Sequence, residues 1–190
     1  LAKRAAGESM VLLKNEERQL PWKISSKVAV IGAFAKHPRY QGAGSSQVTP
    51  TSLDNAYDCI ASAIGDSGSV AYAAGYDHLQ SELDQALFEE AVSVAASASA
   101  VVLFVGLPAI DESEGFDRQH MDIPRQQELL INAVCKENPN SVVVLSNGAP
   151  IRMPWIDRPK AIVEGYLAGQ AGGGAIADIL FGKTNPSGKL

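Results

Sequence analysis

The sequence predicts one doubly wound α/β domain, a single mostly parallel sheet with helices on both faces (an α/β sandwich). Short apolar runs rich in β-branched residues recur along the chain, and amphipathic stretches of helical length separate them. Such runs suit strands buried on both faces, and their alternation with helices implies a parallel sheet. Length agrees: 190 residues are enough for one well-cored domain and leave little for a second.

The elements follow in order. The opening "AKRAAGES" reads as helical and runs into "MVLLKN", a candidate short additional strand. The sheet runs are "KVAVIGA" (27–33), "SVAYAAG" (69–75), "AVVLFVG" (100–106), "SVVVLSN" (141–147) and "AIVEGYL" (161–167). Helices are expected at 52–65, 82–98, 124–137 and 171–181. In the second of these, Leu83, Ala86, Leu87, Ala91 and Val94 stand at helical spacing. Thr51 or Ser52 offers a cap for the first, and Pro124 suits the first turn of the third. Pro139 and the glycines near 169–174 mark stops. No internal repeat or low-complexity segment is visible.

Composition removes several classes of function. Hydrophobic residues at 46% and charged ones at 19% describe an ordinary globular chain. A net charge of −5 with no Lys/Arg cluster argues against nucleic acid. No apolar stretch reaches the roughly 18 residues needed to span a bilayer. No signal peptide opens the chain, so a cytoplasmic setting is expected unless an upstream segment carries a leader. Cys59 and Cys135 lie in apolar helical patterns without a CxxC partner and read as buried free thiols. His37, His78 and His120 show no metal spacing, and neither metal nor cofactor is expected. "VAVIGAFA" opens like a dinucleotide-binding unit but lacks the later glycines, and "GAGSS" has no P-loop lysine. "GQAGGGAIADIL" offers helix amides to an anion or, alternatively, glycines that let a helix pack closely on a strand. No Ser-His-Asp constellation is visible. Trp22 and Trp155 offer faces for stacking on a sugar, or core side chains.

In an open α/β sheet, ligands meet the loops beyond the carboxyl ends of the strands. The segments 41–46, 111–118, 147–150 and 168–174 all follow strands. One of them, "DESEGFDR" (111–118), holds Asp111, Glu112, Glu114 and Asp117 against the single cation Arg118. It reads either as a solvated acidic loop or as a source of chemistry. Crowded carboxylates can keep one carboxyl protonated near neutral pH, and two carboxyl groups flanking an acetal can hydrolyse a glycoside. Pairing Arg118 with Asp117 or Asp122 would leave Glu114 or Glu112 for that chemistry.

Six blocks in order then resemble a known family over nearly the whole chain. These are "ESMVLLKNEERQLP" (8–21), "KVAVIGAFA" (27–35), "YQGAGSSQVTP" (40–50), "ESEGFDRQHMDIPRQQELLINAV" (112–134), "NPNSVVVLSNGAPIRMPWID" (138–157) and "GQAGGGAIADILFGKTNPSGKL" (169–190). Together they look like the C-terminal α/β-sandwich domain of glycoside hydrolase family 3, the β-glucosidase and β-xylosidase type. The resemblance implies a retaining β-glycosidase, β-glucosidase foremost, acting on a β-linked oligosaccharide or glycoside. It also implies an aspartate nucleophile on a preceding (β/α)8 barrel that this chain lacks, with residues 1–26 leading in from that barrel and 1–190 forming the C-terminal domain. Glu114 matches the most frequent general acid/base position, with Glu112 the alternative. Gly42, Gly44, Ser45 and Ser46 match the glycine-serine loop that walls the sugar pocket, and Asp117 and Arg118 match an Asp-Arg pair read as an ion pair holding the loop. The chain ends at Leu190, where members of the family usually continue with a short strand. The fragment alone is expected to be inactive. A catalytically silent carbohydrate-binding or scaffold domain of the same ancestry is the competing reading.

Overall fold

The computed structural model describes residues 1–23, 27–45, 47–115 and 117–190. The five β-branched runs form β2 (Lys27–Ile31), β3 (Ser69–Ala73), β4 (Ala100–Gly106), β5 (Ser141–Ser146) and β6 (Ala161–Glu164). Every residue of β4, β5 and β6 is buried, as the uninterrupted apolar runs require. "MVLLKN" does supply a further strand, β1 (Val11–Asn15), which pairs antiparallel with β6 and closes that edge of the sheet. The other neighbours are parallel, and the order across the sheet is β1-β6-β5-β4-β2-β3.

The helices are α1 (Ala2–Ser9), α2 (Ala56–Ile64), α3 (Gln85–Ala96), α4 (Arg125–Glu137) and α5 (Gly172–Leu180). From β2 the chain steps outward to β3, then reverses direction to reach β4 and β5. Crossovers between parallel strands are right-handed, so this reversal places α2 on one face and α3 and α4 on the other. The contacts agree: α1, α2 and α5 pack together, and α3 packs on α4. Residues 1–15 are therefore an integral part of this domain, α1 lying against α5 and β1 completing the sheet.

Local chemistry explains where the helices begin. The cap of α2 is Asn55, whose Oδ1 accepts from the Asp58 amide at 2.8 Å, rather than Thr51 or Ser52. Asp84 caps α3 by accepting from the Ala86 and Leu87 amides. With the start moved there, the buried stripe of α3 runs through Phe88, Ala91, Val92 and Ala95, and Leu83 stands outside the helix. Pro124 sits at the N-cap of α4, immediately before Arg125.

The triple glycine of α5 is a packing device. A Cβ on Gly173 would lie 2.5 Å from the Asn55 carbonyl carbon, so α5 can approach the start of α2 only without side chains there. Trp22 and Trp155 are both buried and offer no stacking face. Cys59 and Cys135 are free thiols, and burial pushes Cys135 up to about 11. No helix among the described residues is long and apolar enough to cross a membrane.

Candidate active site

The strand order reverses between β2 and β4, and such a switch point opens a crevice beyond the carboxyl ends of the strands. The glycine-serine loop leaves β2 and the acidic loop leaves β4, so both candidate loops border that crevice. They are zipped together: Ala43 forms an isolated parallel bridge with Ser113.

Beneath the bridge lies an ion pair that sequence reasoning did not find. Arg39 Nη2 meets Glu112 Oε2 at 3.2 Å, with side chains only 11% and 8% exposed. The same guanidinium donates through Nε to the Leu107 carbonyl at 2.9 Å and through Nη1 to the Gln41 carbonyl at 3.0 Å. The other oxygen of Glu112 accepts from the Gly148 and Ala149 amides at 2.7 and 2.8 Å. Three loops, those after β2, β4 and β5, thus converge on one carboxylate. Nothing local marks Arg39 in "HPRYQ", because two of its three partners, Leu107 and Glu112, come from distant segments.

Glu114 behaves differently. It stands exposed at the tip of the acidic loop, and both the amide of Ser45 (3.0 Å) and its hydroxyl donate to Oε2. Among the described residues its other oxygen has no hydrogen bond. Gly115, at φ +84°, turns the chain directly after it, a backbone conformation that side-chain-bearing residues rarely adopt. Gly44 (φ +98°) leaves room for the contact, since a Cβ there would fall 2.7 Å from the Glu114 Cβ. The Ser45 hydroxyl, then its amide, hold the Glu114 carboxyl below the ordinary carboxylate range. The expectation that crowding keeps a proton on an acid of this loop is corrected for Glu114: among the described residues its hydrogen-bond partners are donors, which favour the ionised form.

The remaining expected residues are distributed around this pair. Gly42 is half-buried in the glycine-serine loop, and Ser46 lies outside the described residues. The Asp117–Arg118 ion pair is not formed. Arg118 donates instead to the Pro150 carbonyl at 3.0 Å, and among the described residues no carboxylate pairs with it. The alternative partner, Asp122, is taken by a two-pronged contact with Arg152 at 2.6 and 2.9 Å. The physical reason is that adjacent residues on an extended loop point apart, so Arg118 reaches across to the loop after β5.

Another carboxylate was missed. Glu164 closes the apolar run of β6 and is 6% exposed, accepting from the Tyr166 amide (2.9 Å) and Asn147 Nδ2 (3.2 Å). Burial raises its pKa to about 7 against the pull of those two donors, and the charge of Glu112 adds to the rise. A lone acid ending an otherwise apolar strand was the available signal. His37 and His78 stack at 4.6 Å, a pairing invisible in their spacing. Among the described residues no cluster of ligating side chains could hold a metal ion.

A family model for the glycosyl hydrolase family 3 C-terminal domain matches residues 10–190. The chain belongs to glycoside hydrolase family 3. This family 3 domain is 55% identical over 190 residues to thermostable beta-glucosidase B of Acetivibrio thermocellus, covering 100% of this chain and 25% of that protein. It is 45% identical over 201 residues to an exo-alpha-(1->6)-L-arabinopyranosidase of Bifidobacterium longum, covering 100% of this chain and 26% of that one. It superposes on the crystal structure of a Bifidobacterium adolescentis family 3 beta-glucosidase with a TM-score of 0.93 at 50% identity, over 100% of this chain and 27% of the other. The chain spans about a quarter of the length of these relatives. The match to the family includes both loops of the crevice and all three loops that meet at Glu112.

Proposed function

We propose that this family 3 domain supplies the general acid/base of a retaining β-glycosidase, of β-glucosidase type, and that Glu114 is that residue. One observation carries the choice: the Glu112 carboxylate is buried and bound on both oxygens, whereas Glu114 is exposed and, among the described residues, hydrogen-bonded through one oxygen. A group that exchanges a proton with a substrate must reach it, and Glu112 cannot do so without breaking its contacts. The nucleophile would come from a (β/α)8 barrel in the part of the relatives that this chain does not span. Gly42, Gly44, Ser45 and Ser46 would form one wall of the sugar pocket.

The chemistry divides into two demands. As base, Glu114 must be ionised to activate water in the second step, and its Ser45 donors already favour that state. As acid, it must hold a proton while the leaving group departs. Burial under a facing domain and a second carboxylate nearby would both push its pKa upward. The sugar is left to that facing domain, since similar relatives bear the names of a β-glucosidase and an arabinopyranosidase.

The test is Glu114→Ala in the full-length enzyme. Hydrolysis of glycosides with poor leaving groups should fall by about 10²–10⁴-fold, the usual contribution of a positioned acid/base. Activated aryl glycosides, which depart without protonation, should keep their glycosylation rate, and azide should restore turnover by replacing the water that is no longer activated. A loss independent of leaving group would place the acid outside this domain, and no loss on any substrate would reduce the acidic loop to a solvated surface on a catalytically silent domain.

A further inference from the structure

Glu114 is exposed, so burial does not aim it. Its carboxylate is held by Ser45, Ser45 belongs to the loop that carries Ala43, and Ala43 is bridged to Ser113 beside Glu114. Both loops leave the sheet at separate strands, so their relative height is set wherever they are first tied together. That tie is the buried Arg39 guanidinium, which holds the loop after β4 at Leu107 and again at Glu112. Arg39 lies on the near side of the glycine-serine loop, and Glu112 lies two residues before Glu114.

We propose that Arg39 is a positioning residue for proton transfer, fixing the glycine-serine loop against the acidic loop through Glu112 so that Glu114 is presented to the substrate. The proposal rests on the assignment of Glu114 as acid/base. The side chain is suited to the task by geometry. Nε, Nη1 and Nη2 go to three different acceptors on two loops, Leu107, Gln41 and Glu112. A planar fork can satisfy all three at once, whereas a lysine ammonium on a flexible stem can match their charge but not their directions. Glu112 extends the frame to a third loop through Gly148 and Ala149. With the frame broken, Ser45 and Glu114 would still be present, at unfixed distances from the reacting bond.

The experiment uses the full-length enzyme and aryl glycosides of graded leaving-group pKa, comparing Arg39→Met, Arg39→Lys, Glu112→Gln and Glu114→Ala. Glu112→Gln is the milder cut. Its amide oxygen can still accept from Gly148 and Ala149, while its NH2 group faces the Arg39 NH2 group, donor against donor. Arg39→Met and Glu112→Gln should lower kcat on poor leaving groups by up to about 10²-fold, the loss expected from a misplacement of about 1 Å. Activated substrates should lose far less, and KM should change little. Arg39→Lys should recover part of the loss. If Arg39→Met does not fold, Glu112→Gln alone decides. A loss equal across all leaving groups in the folded clamp variants, beside a clear dependence in Glu114→Ala, overturns this proposal alone. No dependence in Glu114→Ala overturns the acid/base assignment and this proposal with it.

Discussion

Arg39 and Glu112, separated by 73 positions in sequence, meet at 3.2 Å with both side chains almost wholly buried. Removing one member of such a pair leaves the other charge buried without its partner. Glu112→Ala should therefore cost about 3–5 kcal/mol, read as a lower urea midpoint for this chain. A change under about 1 kcal/mol, the range of exposed pairs, would mean that water reaches the site.

The pair expected from adjacency makes the opposite prediction. Asp117 and Arg118 are neighbours without a mutual contact, and Arg118 is tied to Pro150. Asp117→Asn should change stability by less than about 0.5 kcal/mol, as surface substitutions do. In a double-mutant cycle with Arg118→Ala the coupling should be near zero. A coupling above about 1 kcal/mol would restore the ion pair.

Glu164 should impose a pH dependence of its own. Its folded pKa of about 7 lies above the ordinary 4.5. Between those values the folded state binds the extra proton, so stability is greatest below about 4.5 and declines as pH rises to about 7. The loss is on the order of 3 kcal/mol for a shift of this size. Urea midpoints at pH 5 and pH 8 should converge in Glu164→Gln; if they remain as far apart as in the parent, another group is responsible.

The isolated 190-residue chain should hydrolyse no aryl β-glucoside. A retaining mechanism needs a second carboxyl group about 5–5.5 Å from the acid. Glu112, the nearest carboxylate in sequence, is occupied by Arg39 and two backbone amides. Turnover by the purified chain above contaminant level would place the nucleophile within it.

The strand runs, the helices and the order of the motifs were legible in the sequence because they depend on neighbours along the chain. A β-branched run such as Val142–Leu145 is a strand wherever it is buried, and apolar spacing marks a helix before its partners are known. The acidic and glycine-serine loops could be placed at the carboxyl ends of strands for the same reason. Even here one cap was misplaced, because Thr51, Ser52 and Asn55 are all competent residue types, and the helix starts at the last, where α5 comes close. What surrounds each carboxylate was decided by tertiary structure. Glu112 and Glu114 are chemically identical and two residues apart, yet one faces Arg39 and two backbone amides, and the other Ser45 and solvent. Burial and charge act over a few ångströms of space, and the groups that supply them here, Arg39, Ser45 and the backbone amides of Gly148 and Ala149, come from loops that only the strand order brings together.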